Sequence, residues 1–223
     1  MRQEKLAILG QLAGGVAHEL RNPLAVINGV VYYLRKMLAD PDETQREFMD
    51  TIYAEVRNAD KIVTDLLDFA RVSPAERACV ALPALVNGVL DEHPPPQGVQ
   101  VHADIAADLP EALVNSTQIK LVLAHLIANA HQAMPEGGHL SISAQTEQGQ
   151  IVLSVADTGC GISPKNMDRL FEPLFSTKAR GIGLGLVISK NLVQVNGGSI
   201  SATSRKDQGS TFSVTLPTGE TML

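Results

Sequence analysis

Tryptophan is absent from the 223-residue chain, and tyrosine and phenylalanine number only 3 and 5. Aromatic platforms for stacking single-stranded bases are therefore not expected. The cysteines are 2, Cys79 and Cys160, far apart and without metal-ligand spacing. They argue for a reducing cytoplasm and against a disulfide framework or a zinc site. No apolar run reaches the roughly 18 residues that span a bilayer. Met1-Arg2-Gln3-Glu4-Lys5 leads straight into an amphipathic pattern, without a signal-peptide layout. A basic excess is missing too: 18 Lys and Arg face 24 Asp and Glu, for a net charge of −6. A non-specific nucleic-acid binder has the opposite sign. What is present is ordinary for a folded protein of one or two domains, with 44% hydrophobic and 19% charged residues.

The first 70 residues carry their own pattern. Leu6, Ala13, Leu20, Ile27 and Leu34 recur every seven positions, and Leu9, Val16, Val30 and Met37 form a second such series. Leu24, Val31 and Leu38 widen the stripe. This spacing predicts a long amphipathic helix of coiled-coil type. Turn chemistry at Asp40-Pro41-Asp42-Glu43-Thr44 ends it. A second helix follows, with Ile52, Ala59 and Leu66 in register and Val56, Val63 and Ala70 beside them. The pair reads as an antiparallel hairpin with arms on the order of 40 Å long. One hairpin cannot cover so wide a stripe, whereas a second copy completes a four-helix bundle. A homodimer through residues 1–70 is the expectation.

The pattern breaks after Arg71, and Ser73-Pro74 marks a linker. Helices are predicted over Leu82–Leu90, Ser116–Met134, with Ser116 as N-cap, and Leu184–Val195. Strands are predicted at Val99–Ile105 and Ala112–Asn115. Hairpins are predicted over His139–Thr146 with Gln150–Asp157, and over Gly198–Ser204 with Ser210–Leu216. The mixture is α+β, with helices on one face of a mostly antiparallel sheet. The domain reading is 1–72 hairpin, 73–80 linker and 81–223 α+β domain.

Several residues carry chemistry. His18 falls on the far side of the heptad from the seam, facing solvent, where an imidazole keeps a pKa near the reference of about 6.5. Mostly neutral in the cytoplasm, it has a lone pair free for nucleophilic attack. Glu19 can accept the proton of the other ring nitrogen. Asn22 lies one turn along, placed to orient water, and Pro23 should kink the helix nearby. Asn129 sits in an otherwise apolar helix, either as a core hydrogen bonder or as an oxygen ligand suited to Mg²⁺. Asp157, just after a strand, can accept from an exocyclic amine such as adenine's. Gly159 and Gly161 let backbone approach a base. Gly181, Gly183 and Gly185 run into a helix start, where backbone N–H groups suit phosphates.

In this order the motifs resemble the catalytic core of sensor histidine kinases of two-component systems, in the branch similar to nitrogen-regulation kinases. The phosphoacceptor box is His18-Glu19-Leu20-Arg21-Asn22-Pro23-Leu24. The asparagine box is Gln118 through Ala133, and the first glycine box Asp157 through Gly161. The phenylalanine box runs Leu170–Lys178, the second glycine box is Gly181 through Gly185, and Gly209-Ser210-Thr211-Phe212 closes the series. The resemblance implies a multidomain fold: an all-α hairpin forming a dimeric four-helix bundle, then an α+β ATP-binding sandwich of the GHKL type. It implies a kinase in which His18 takes the γ-phosphoryl group of ATP, with Glu19 as general base and hydrogen-bond partner. Asn22 would position water for dephosphorylating the partner. Asn129 would hold Mg²⁺, and Asp157 would read adenine with Gly161 and Thr211 nearby. Phe171 to Gly185, followed by Leu186, would cover the phosphates, with Lys178 as a triphosphate contact. The implied partner is a response-regulator receiver domain, with no nucleic acid, no direct membrane contact and a cytoplasmic location.

One position departs from the family pattern. An asparagine often stands four residues before the magnesium ligand, and here it is His125. Its imidazole could meet phosphate or bond within its own helix layer. Two other readings compete: a different GHKL ATPase, which the separate His18 box opposes, and a nucleotide-binding scaffold without transfer.

Overall fold

The computed structural model describes residues 2–38, 41–70, 76–106, 108–178 and 183–219, with side chains from residue 20 onward except 61 and 65–70. Two compact units divide the chain, Met1–Arg71 and Val72–Leu223.

The first unit is α1, Arg2–Met37, packed on α2, Glu43–Ala70. At 1.5 Å per residue, α1 is about 54 Å long and α2 about 42 Å. Helix α1 runs through Pro23, which withholds one backbone donor from the carbonyl a turn earlier. Asp42 starts α2 by a reciprocal cap. Its carboxylate accepts from the Gln45 N–H at 2.8 Å, and the Gln45 side chain accepts from the Asp42 N–H at 3.1 Å. Val31, Met49, Val56 and Val63 are buried between the helices, with Leu24 against Val63. Arg21 adds polar ties across the hairpin. Its guanidinium donates to Thr64 Oγ1 at 2.8 Å and pairs with Asp60 at 3.4 Å. The seven-residue series Leu20, Ile27 and Leu34 stays 45%, 43% and 42% exposed, so α2 covers only part of the predicted stripe. Among the described residues no helix is long and apolar enough to cross a membrane.

The second unit opens with β1, Ala78–Val80, paired antiparallel with β3, Ala112–Val114. The sequence reading assigned 78–80 to the linker. A strand of three residues is too short to show a period, and its partner across the ladder is what defines it. The remaining strands are β2 (Val99–Ile105), β4 (Gly138–Glu147), β5 (Gln150–Asp157), β6 (Ser199–Arg205) and β7 (Gly209–Pro217). They form one sheet in the order β2-β4-β5-β7-β6, in which only β2 and β4 run parallel. Helix α3 (Leu82–Glu92) packs on α4 (Ser116–Ala133). Helices α4 and α6 (Gly185–Val195) pack on the sheet, and α5 (Pro164–Met167) is a single turn.

Alternation decides what each strand shows. Ile151, Leu153, Val155 and Asp157 of β5 face inward opposite Leu216, Val214, Phe212 and Ser210 of β7. The outward positions are hydroxyl-rich: Ser143, Ser154, Ser213 and Ser201 lie in one row across four strands. Ser154 and Ser213 share a hydrogen bond of 3.2 Å.

Helix α4 is capped by Asn115 rather than Ser116: the Asn115 Oδ1 accepts from the Gln118 N–H at 3.0 Å. The cap joins a buried knot at the end of α6. Asn196, 1% exposed, accepts from the Asn115 N–H at 2.7 Å and donates to Gln118 Oε1 at 2.7 Å and to the Leu192 carbonyl at 2.8 Å. Arg77 donates to the Val195 carbonyl at 2.6 Å, closing the same corner. Asn196→Ala removes the acceptor of the Asn115 N–H and one donor to the Gln118 side-chain oxygen. It should destabilise the second unit by about 1–3 kcal/mol. Urea unfolding of the whole chain followed by circular dichroism measures this, and an unchanged midpoint would show the knot to be dispensable.

Candidate active site

Helix α4 delivers the first group. Ile119, Val122, Leu123, Leu126, Ile127 and Ala130 bury its apolar face, which leaves Asn129 at the margin, half-buried. Gln132, one turn on, is exposed. The Lys178 ammonium meets both: its Nζ lies 2.9 Å from Asn129 Oδ1 and also donates to Gln132 Oε1.

Strand β5 delivers the second group at its last residue. Asp157 is 8% exposed, and its carboxylate accepts from the Gly159 N–H at 2.9 Å. Burial pushes its pKa above the ordinary carboxylate range, against the pull of backbone hydrogen bonds from Gly159 and Ser210 and of the Lys178 charge. The turn after it is tight. The Cys160 N–H donates to the Ala133 carbonyl at 3.0 Å, tying the turn to the end of α4. Gly161 sits at φ +63°, and a Cβ there would lie 2.0 Å from the Arg205 carbonyl, so no side chain is accommodated.

Helix α6 delivers the third group. Gly183, at φ +72°, backs onto the Phe175 carbonyl, which a Cβ would approach to 2.1 Å. Gly185 begins α6, and Leu186 is half-buried in its first turn. Gly181 lies outside the described residues. His125 bonds toward this helix: its Nδ1 is 3.3 Å from Ser189 Oγ, which donates to the Gly185 carbonyl at 2.9 Å. Around the phenylalanine box, Arg169 stacks over the Phe175 ring at 4.2 Å and Lys190 over the Phe171 ring at 5.4 Å. An aspartate, two amides and a lysine thus converge beside glycine-lined backbone at a helix start.

Comparison with known proteins gives this convergence a family. Residues 8–74 match the His Kinase A (phospho-acceptor) domain. Residues 114–220 match the histidine kinase-, DNA gyrase B-, and HSP90-like ATPase. The chain belongs to the sensor histidine kinases, as their catalytic core. It is 36% identical over 219 residues to the signal transduction histidine-protein kinase AtoS of Escherichia coli K12, covering 96% of this chain and 36% of AtoS. To the sensor histidine kinase ZraS of the same strain it is 34% identical, covering 97% of this chain and 47% of ZraS. The chain therefore spans about a third to a half of these relatives. Among solved structures, full-length ShkA in complex with AMPPNP aligns at TM-score 0.77 and 26% identity, over 93% of this chain and 46% of that one. Histidine kinase ThkA in complex with the response regulator protein TrrA aligns at TM-score 0.70 and 26% identity, over 100% of this chain and 66% of that one.

Within the kinase core, His18 and Glu19 lie in α1, and their side chains fall outside the described residues. Asn22 is exposed on the same helix. Thr211 lies one register place from Asp157. It pairs with Ala156 on the outward face of the sheet, and Ser210 holds the inward place opposite Asp157. The signal was parity: Ser210 shares its face with Phe212, Val214 and Leu216. Gln132 and Arg21 are further residues that the sequence reading passed over. His131 has a buried Nε2 without a hydrogen-bond partner, and burial and the neighbouring His93 lower its pKa.

A raised carboxyl pKa makes a carboxylate costly to the folded state. Its contribution favours folding at low pH and is lost as pH rises through the folded pKa. Asp157→Asn should therefore raise the melting temperature by about 1–3 °C at pH 7, with a smaller gain at pH 4. Differential scanning calorimetry at both pH values checks the sign, and an equal gain at both would mean that the charge is not what costs stability.

Proposed function

We propose that this core transfers the γ-phosphoryl group of ATP to His18 and relays it to an aspartate on a response-regulator receiver domain. The observation that carries the reading is the conjunction of a histidine box on a helical hairpin with the Asn129, Asp157 and Lys178 constellation in a second compact unit. The AMPPNP complex of ShkA and the TrrA complex of ThkA support the nucleotide and the partner class.

Asp157 binds the adenine amine, with its carboxylate fixed by the turn backbone. Gly183 and Gly185 bring N–H groups toward the phosphates at the start of α6. The side-chain oxygen of Asn129 already holds a cation, the Lys178 ammonium, so it suits a hard ion. Asn129 would hold Mg²⁺, which would neutralise phosphate charge there. A ring nitrogen of His18 forms the P–N bond as the bond from the γ-phosphorus to the β–γ bridging oxygen breaks and ADP leaves. The proton on the other ring nitrogen goes to Glu19. Such transfer depends mainly on positioning and charge stabilisation. Asn22, exposed one turn from His18, orients water when the same protein dephosphorylates its partner.

The domain roles are 1–72 for dimerisation and phosphoacceptance, 73–77 for the linker and, with β1 included, 78–223 for ATP binding, in the cytoplasm. The exposed series Leu20, Ile27 and Leu34 supports a homodimer: two copies facing each other along it make a four-helix bundle.

His18→Ala should abolish acid-labile, base-stable label from γ-labelled ATP while ADP still binds. Label at the usual rate would remove His18 from the reaction. Asn129→Ala should lower Mg²⁺-dependent ADP affinity by about tenfold or more, the loss of one contact to a charged group. Calorimetry reads this, and unchanged affinity would put the metal elsewhere.

A further inference from the structure

Asn129 and Gln132 stand one helical turn apart, and a single ammonium engages both. Lys178 reaches them from a segment 49 residues away in sequence from Asn129, and its charge also acts on Asp157. The oxygen that serves the metal ion in the reading above is therefore the oxygen that Lys178 uses. A divalent ion binding that oxygen at about 2.1 Å would sit within a few ångströms of the ammonium, and like charges at that distance repel strongly.

We propose that the Lys178 ammonium and Mg²⁺ compete for the Asn129 side-chain oxygen, with Gln132 as the positioning residue that weights the competition toward the ammonium. The proposal rests on Asn129 as metal ligand. It assigns Gln132 a role in setting how much Mg²⁺ the site requires. Displaced from Asn129, the Lys178 ammonium becomes available to the phosphate oxygens, so one cation neutralises the amide layer or the triphosphate but not both. Gln132 is exposed on α4 and outside the buried face, so its replacement does not threaten the fold.

The test is calorimetric titration of the whole chain with ADP at graded Mg²⁺, in four proteins: wild type, Gln132→Ala, Lys178→Met and the double variant. Removing the Gln132 contact to an exposed ammonium should tighten Mg²⁺-dependent ADP binding about three- to fivefold and lower the half-saturating Mg²⁺ by the same factor. In the Lys178→Met background, Gln132→Ala should change neither quantity, because the competitor is gone. Unchanged or weaker binding in Gln132→Ala would overturn the proposal, as would an equal gain in the Lys178→Met background. If Mg²⁺ fails to strengthen ADP binding even in wild type, the assignment of Asn129 as metal ligand falls, and the competition falls with it. That outcome is distinguishable from a failure seen only in the Gln132 variant.

Discussion

The second unit is organised around a carboxylate kept largely out of water and held by backbone N–H groups from two directions. Asp157 accepts from Gly159, in the turn that follows it, and from Ser210, on the neighbouring strand. Both donors require close backbone approach. The turn can close on the end of α4 because Gly159 carries no side chain, and on the end of β6 because Gly161 carries none. The neighbouring strand is brought opposite by the β5–β7 register. The carboxylate is thus less a surface group than a charge built into the sheet, at a cost that its backbone donors only partly offset.

This arrangement explains why the surrounding helices are tied so firmly at their other ends. Helix α4 offers Asn129 near its C-terminus, and α6 offers glycine backbone at its N-terminus. The opposite ends of the two helices meet at Asn196, where Asn115 and Gln118 close a buried polar knot. A buried amide of this kind is favourable only when its groups are satisfied together. Its geometry fixes the spacing of the helices, and hence the spacing of the chemistry they carry at the far end. His125 and Ser189 add a second tie between the same helices, closer to the glycine end.

Most of this was legible before any coordinates. The alternation of β4, β5, β6 and β7, the turn residues between them and the apolar periodicity of α4 and α6 gave the α+β unit, because each is a local pattern with a local cause. Asn129 stood out because a polar residue in an apolar run requires a reason, and Asp157 because it stands at a strand end and opens a glycine turn. What escaped is what depends on pairing across distance. The strand at Ala78–Val80 exists only by virtue of Ala112–Val114. Ser210 and Thr211 are indistinguishable as residue types, and register alone decides which one faces Asp157. Asn115 precedes Ser116 and either could cap a helix; the knot with Asn196 selects the first. The meeting of Lys178 with Gln132 joins segments far apart in sequence, and no spacing rule anticipates it.

The row of serines across the outward face of the sheet has a consequence of its own. Ser143, Ser154, Ser213 and Ser201 are small, uncharged and readily hydrated, and they carry little of the packing that holds the inner face together. Substitution there should therefore cost little stability. The same latitude makes these positions suitable anchor points for spectroscopic reporters that leave the interior undisturbed.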